Sequence, residues 1–142
     1  MLPQDFIKQF VTCSLVPYWN ENKELAIGYN NILNVTSATV WLKEQAEADL
    51  DQRIRQTTML LRAKLSVGHM LTFNQTTALV SLFLDIGYEN IRKTKFIAYL
   101  EAKNWVMVTS SFMLFNKNRL NTVSVKKTAR RKAEQVLFNT KD

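Results

Sequence analysis

Hydrophobic residues change their spacing along the chain, and each change marks a different kind of element. Phe6, Ile7 and Phe10 fall at helical spacing within residues 3–13, which predicts a short amphipathic helix. Between residues 15 and 35 that period breaks. Tyr18-Trp19 and Leu25-Ala26-Ile27 flank the polar run Asn20-Glu21-Asn22-Lys23-Glu24, the pattern of a small hairpin, with further turns at Tyr29-Asn30-Asn31. From about Val40 the period becomes helical again. Leu42, Ala46, Leu50, Ile54 and Leu61 share one stripe, and Asp49/Arg53 and Asp51/Arg55 form i,i+4 pairs on exposed faces. A helix of roughly 20 or more residues follows, long enough to join two lobes or cross a whole domain.

Thr72-Phe73-Asn74-Gln75 has the form of a capping box ahead of an apolar helix carrying Ala78, Leu79, Leu82, Phe83 and Ile86, with Gly87 placed to end it. Two more helical patterns lie around 91–102 and 104–115. The last runs from about Val123 to Phe138, with Val125, Ala129, Ala133 and Val136 as its expected apolar face. Its expected basic face stacks Lys126 with Arg130 and Lys127 with Arg131. The predicted class is α+β and mostly helical. A small β-containing lobe over about 12–36 is joined by a helix over about 40–65 to a helical lobe over about 70–142, on which the N-terminal helix packs. The whole of 1–142 reads as one domain.

Composition narrows this picture without redirecting it. A chain of 142 residues with 46% hydrophobic content suits one packed core, and three Gly and two Pro leave little material for a many-turned sandwich. Cys13 is the only cysteine, so no intramolecular disulfide can form, and a buried reduced thiol is expected. A net charge of +7 favours anionic partners without choosing among nucleic acid, acidic lipid, cell wall or acidic protein. No segment reaches the ~18 apolar residues of a membrane span. Met1-Leu2-Pro3-Gln4-Asp5 lacks the basic-then-apolar order of a signal peptide, so a cytoplasm is the expected compartment.

Three segments carry a resemblance. Ile7-Lys8-Gln9-Phe10-Val11-Thr12-Cys13-Ser14-Leu15-Val16-Pro17-Tyr18-Trp19-Asn20, continuing to Ala26-Ile27-Gly28-Tyr29, is similar to I-x-x-F-E-G-x-x-L-x-x-Y-x-D followed by T-I-G-Y-G-H. Leu71-Thr72-Phe73-Asn74-Gln75, then Ala78-Leu79-Val80-Ser81-Leu82-Phe83 and Gly87, is similar to L-T-x-N-Q-x-x-A-L-V-S-F-x-F-N-x-G. The ending around Arg130-Arg131 and Glu134 is similar to a terminal R-R-x-x-E helix. Together they resemble the phage-type lysozymes of glycoside hydrolase family 24, the T-even and lambdoid-type endolysins. The resemblance implies a lysozyme-like fold and a phage or prophage origin.

The resemblance also locates five departures. Cleaving a glycosidic bond ordinarily requires two carboxyl groups. The family's acid falls on Val11, its Asp on Asn20 and its Thr on Ala26, while the Gly and His closing the motif fall on Asn30 and Asn31. A hydrocarbon has no proton to give, and a carboxamide is no base near neutral pH. Glu21 is a poor stand-in for Asn20, because one step along a strand turns the side chain to the other face. These substitutions lead to the expectation of no catalytic residues and no enzyme activity, hence a pseudoenzyme.

Binding candidates remain. Tyr18, Trp19, Asn20, Asn30 and Asn31 line the expected cleft, joined by Arg130 or Arg131, left without an acidic partner by Val11. Lys126, Lys127, Arg130, Arg131 and Lys132 form the expected basic patch, either a solvated helix face or an anion site. His69, the only histidine, suits an exposed turn, and no metal or cofactor is implied. Trp41 and Trp105 fit core packing. The leading functional expectation is binding of a phage or host protein, as a virion or baseplate component or a host-directed factor, in the cytoplasm of an infected or lysogenic cell or on the virion. The alternatives are a peptidoglycan-binding module or a weakly active muramidase. Nucleic-acid binding ranks lower, since no recognition motif accompanies the charge.

Overall fold

The computed structural model describes residues 1–142. Helix α1 (Pro3–Lys8) begins on a proline, whose missing N–H costs nothing in a first turn, and buries Phe6 and Ile7. Strands β1 (Ser14–Trp19) and β2 (Leu25–Gly28) form an antiparallel hairpin. Its register slips between Ser14 and Tyr18, around Pro17, which has no N–H to offer the ladder. Helix α2 (Lys43–Lys64) spans 22 residues and buries Ala46, Leu50, Ile54 and Leu61, as the stripe predicts. Leu42 sits outside it as an exposed N-cap. Asp49 and Arg53 pair at 2.9 Å, half-buried rather than exposed, because Arg53 also donates to the Tyr29 carbonyl at 2.8 Å.

The hairpin is anchored to the helices through Glu47. Its carboxylate accepts from Lys8 at 2.5 Å and from the Tyr29 hydroxyl at 2.7 Å, and Lys43 donates to that same hydroxyl at 2.9 Å. Lys8 and Tyr29 hold the Glu47 pKa at about 2. Gly28 lies where a side chain cannot fit. Its φ is +66°, and a Cβ there would sit 2.7 Å from Trp41 Cζ3. Trp41 is thus packing, as expected. Cys13 differs from its expectation: it is half-buried against the core's edge rather than enclosed.

A 3₁₀ turn over Ser66–Met70, carrying an exposed His69, leads to helix α3 (Phe73–Ile86). The predicted capping box is present: Thr72 accepts from the Gln75 N–H at 3.1 Å while the Gln75 side chain accepts from the Thr72 N–H at 3.0 Å. Such a cap contributes about 1 kcal/mol. Residues 77–83 of α3 are buried, and Gly87 ends the helix at φ +90°. Short helices α4 (Tyr88–Ile91), α5 (Phe96–Glu101) and α6 (Trp105–Ser111) wrap it, followed by a 3₁₀ turn over Phe112–Phe115. Phe96, Phe112 and Phe138 meet edge to face, with ring centroids 5.5 and 5.8 Å apart in successive pairs. Trp105 packs on Phe138.

Helix α7 (Val125–Phe138) inverts its predicted orientation. Val125 and Val136 are 86% and 68% exposed, whereas Lys127, Arg130, Arg131 and Glu134 are buried with Phe138. The expected basic patch therefore does not exist as a surface, and only Lys126 and Lys132 of the five stay exposed. Charge pairing explains the inversion. Asp85, at the end of α3, receives Lys127 at 2.8 Å and Arg131 at 3.0 Å. Glu134 receives Arg131 at 2.6 Å and lies 3.5 Å from Arg130, and the Ser81 hydroxyl donates to it. Arg130 donates to the Ser81 hydroxyl at 3.0 Å and the Ser81 carbonyl at 2.9 Å. Two carboxyl groups on the inner face outweigh four small apolar residues in setting the helix's rotation, since a buried carboxylate without cations is far costlier than an exposed valine. The same pairing removes the expected Arg with no acidic partner.

Two measurements check this architecture. Gly28→Ala is expected to cost about 1–3 kcal/mol in denaturant unfolding, through overpacking against Trp41 and a strained positive φ. Burial opposes ionisation of Asp85, yet Arg130, Arg131 and Lys127 hold its pKa at about 2, below the ordinary 3.8. Its stabilisation is complete above the unfolded-state pKa and is lost as pH falls from about 4 towards 2, the window in which Glu47 also titrates. Glu134, pushed up by burial against the pull of Arg131 and Arg130, contributes with the opposite sign. Asp85→Asn is expected to lose about 3–5 kcal/mol at neutral pH and to show a shallower acid limb than the parent protein.

Candidate functional site

The turn after α1, the hairpin and the start of α7 enclose a cleft of about 390 Å³. Phe10, Val11 and Thr12 form one wall, Tyr18 to Asn22 with Asn30 another, and Asp85, Lys126, Lys127 and Arg130 the third. A neighbouring hollow of about 530 Å³ shares Asn22, Asp85 and Lys127 with it and is bounded by Lys117, Asn118 and Arg119. Between the two, the Arg119 N–H donates to Asn22 Oδ1 at 2.9 Å and its guanidinium pairs with Glu24 at 2.7 Å, so the loop before α7 touches the hairpin tip.

Several expected residues meet here. Tyr18 is half-buried, and burial pushes its phenol pKa up, while Trp19 is 70% exposed at the cleft rim. One of the pair packs inward and the other faces solvent, which gives the cleft one exposed aromatic face. Asn20 is held by the hairpin itself. Its Oδ1 accepts from the backbone of Asn22 and Glu24, both at 2.9 Å, and its Nδ2 donates to Asn30 Oδ1 at 3.0 Å. Asn20 thus builds the turn that carries Glu21 and Asn22 into the cleft. Asn30 adopts φ +66°, a left-handed conformation that asparagine tolerates.

Other expected residues are elsewhere. Asn31 is buried and donates to the Leu33 carbonyl at 2.9 Å, so it shapes the following turn rather than the cleft. Arg131 is 0% exposed and sits behind Arg130, held by Asp85 and Glu134. Lys132 is exposed but does not line the cleft, and Ala26 is fully buried within strand β2. Sequence reasoning missed Asp85. Asp85 lies one helical turn after Ser81, and the structure shows it as the partner of α7 cations whose burial the sequence pattern does not reveal.

The cleft's carboxyl groups are therefore Glu21 and Asp85. Asp85 is held ionised by its three cations. Glu21 is on the exposed hairpin turn, outside the ion pairs. Val11 and Asn20 contribute no group that exchanges a proton near neutral pH. No cluster of metal-ligating side chains is present, and no helix is long and apolar enough to cross a membrane.

Comparison with known proteins adds what geometry alone does not. A family model described as phage lysozyme matches residues 8–134. A protein named endolysin from Acyrthosiphon pisum secondary endosymbiont phage 1 is 30% identical over 137 residues, covering 94% of this chain and 92% of that protein. The solved endolysin of Escherichia coli O157:H7 phage FAHEc1 superposes with a TM-score of 0.83 at 25% identity, over 96% of this chain and 90% of that one. The muramidase domain of SpmX from Asticaccaulis excentricus gives 0.84 at 20% identity, over 98% and 95%, a likeness of fold alone. These relatives overturn the expectation that the chain is not an enzyme: the matching family is one of lysozymes, and the relative at 30% identity is named as an endolysin. All the residues that line the cleft and the hairpin that shapes it fall within the matched residues, and the chain belongs to the phage lysozyme family.

Proposed function

We propose that the cleft takes a glycan strand of peptidoglycan, and that the chain acts on it as a muramidase whose turnover is limited by the residues at positions 11 and 20. The observation that carries this reading is the cleft itself, in a chain of this family: one exposed indole, Trp19, beside the carboxamides Asn20, Asn22 and Asn30. Sugars are recognised in this way, with an aromatic face for their C–H surface and planar amides for their hydroxyls. That chemistry gives a glycan precedence over the protein partner that the sequence suggested. The buried cations of α7 likewise leave little charge to grip nucleic acid.

Hydrolysis of the strand draws on the carboxyl groups that the cleft holds. Glu21 is the one outside an ion pair and is assigned the proton-exchanging role, while Asp85 contributes a fixed negative charge beneath the cleft. Val11 leaves the opposite wall without general-acid assistance, a contribution of roughly 10²–10⁴ in rate.

Two assays on purified sacculi test the proposal. The chain is expected to co-sediment with sacculi and to remain bound at moderate salt, where purely electrostatic attachment is screened. Failure to sediment would overturn the glycan reading. In a turbidity assay, Val11→Glu combined with Asn20→Asp is expected to raise turnover by roughly 10²-fold or more. An aspartate at position 20 can still accept both backbone N–H groups of the turn, so the variant should keep the hairpin. An unchanged rate in a folded double variant would show that positions 11 and 20 do not limit the chemistry.

A further inference from the structure

Helix α7 leaves its apolar stripe uncovered. Val125, Ala129, Lys132 and Val136 share one face of the helix, opposite Lys127, Arg131 and Glu134 of the buried cluster. All four are exposed, and the two valines, at 86% and 68%, stand about 16 Å apart along the axis. Helix α6 lies beside this face: Gln135 donates to the Thr109 carbonyl at 2.8 Å and Asn139 to the Thr109 hydroxyl at 3.2 Å. One turn before that contact stands Val106, 79% exposed, and exposed Lys103 precedes it at the start of α6. None of these six residues lines the cleft or the neighbouring hollow. Charge is also divided unevenly along the chain. Residues 1–51 hold three Lys or Arg against seven Asp or Glu, and residues 52–142 hold 16 against five. Between Glu101 and Asp142 the only acid is Glu134, which is 0% exposed. The outer surface of α6 and α7 therefore mixes aliphatic side chains with lysines and carries no exposed carboxylate. Lys103 and Lys132 take part in no ion pair.

We propose that this α6–α7 face docks on a bilayer that contains acidic phospholipid. Val106, Val125 and Val136 enter the boundary between headgroups and acyl chains. Lys103 and Lys132 lay their methylenes along that boundary and hold their ammonium groups at the lipid phosphates. The mixture selects lipid over other anionic partners. Single-stranded nucleic acid is held on aromatic and Arg side chains, and protein interfaces are anchored by Trp, Tyr and Arg, whereas this face supplies Val, Ala and Lys. Contact is peripheral, since no helix is long and apolar enough to cross a membrane. The cleft opens on another flank of α7, through Lys126 and Arg130, so the docked chain keeps it free. The inference is independent of what the cleft binds.

Flotation of the full chain with lipid vesicles tests the proposal. The vesicles are phosphatidylcholine alone and phosphatidylcholine mixed with phosphatidylglycerol, and duplex DNA serves as a second anionic probe in a gel shift. The chain is expected to float with the mixed vesicles and to stay free of phosphatidylcholine alone. Lys103→Gln combined with Lys132→Gln should weaken vesicle binding roughly tenfold or more, at about fivefold for each cation near an anionic surface. Val125→Ser combined with Val136→Ser changes no charge and should weaken it roughly tenfold through lost apolar contact. All four positions are exposed, so both variants should melt with the parent protein. Equal binding to the two kinds of vesicle, or none to either, would overturn the proposal. Vesicle binding that survives the valine changes would also overturn it, because attachment would then rest on charge alone. Duplex DNA binding that falls in the lysine variant, with no vesicle binding by the parent, would assign the face to nucleic acid instead.

Discussion

The helical lobe is organised around a cluster of five charged groups that have left water. Glu134, Lys127, Arg130 and Arg131 are buried between α3 and α7, and Asp85, its side chain 9% exposed, closes the cluster at the cleft. Desolvating such groups is costly, and the pairs recover that cost only with tight geometry and further hydrogen bonds. Here the remaining hydrogen bonds come from Ser81, through its hydroxyl and its carbonyl, and from the Phe115 carbonyl, which Arg131 reaches at 3.2 Å. The cluster therefore binds three segments of the chain at once. It fixes the rotation of α7, turns Val125 and Val136 outward, and sets Arg130 at the floor of the cleft.

The cleft inherits its character from that arrangement. Its α7 wall is positively charged because three cations face two carboxyls; its hairpin wall is neutral and amide-rich because Asn20 and Asn30 hold one another and the turn. Asn20 illustrates how a position can be structural and chemical together. Two backbone N–H groups converge on its Oδ1, so whichever residue stands there must be an acceptor, and the choice between amide and carboxylate changes proton chemistry without undoing the hairpin. Val11 differs. It is an apolar wall residue of the cleft that also packs against the edge of the core.

Elements with strong periodicity were legible in the sequence. The stripe of α2, the Thr72–Gln75 cap, the Gly87 stop and the hairpin around Asn20–Glu24 all stand where the pattern put them. The α7 helix was located but its faces were reversed. Periodicity ranks residues by hydrophobicity and has no knowledge of a carboxylate arriving from another helix, so Asp85 was invisible as a partner for the α7 cations. Asn31 was misplaced for a related reason. Its register in the motif suggested the cleft, but its amide is consumed by the Leu33 backbone. The lack of an enzyme function, argued from Val11, Asn20 and Ala26, is corrected by the family to which the chain belongs.

Mapping the contact surface of a bound glycan tests the central claim most directly. Amide chemical shifts would be followed while a muropeptide is titrated into the labelled chain. The account predicts that perturbations concentrate at Trp19 to Asn22, Asn30 and Lys126 to Arg130, the two walls that face one another. Shifts confined to the outer apolar residues Val16, Leu33, Val40 and Leu42, all exposed and away from the cleft lining, would contradict it.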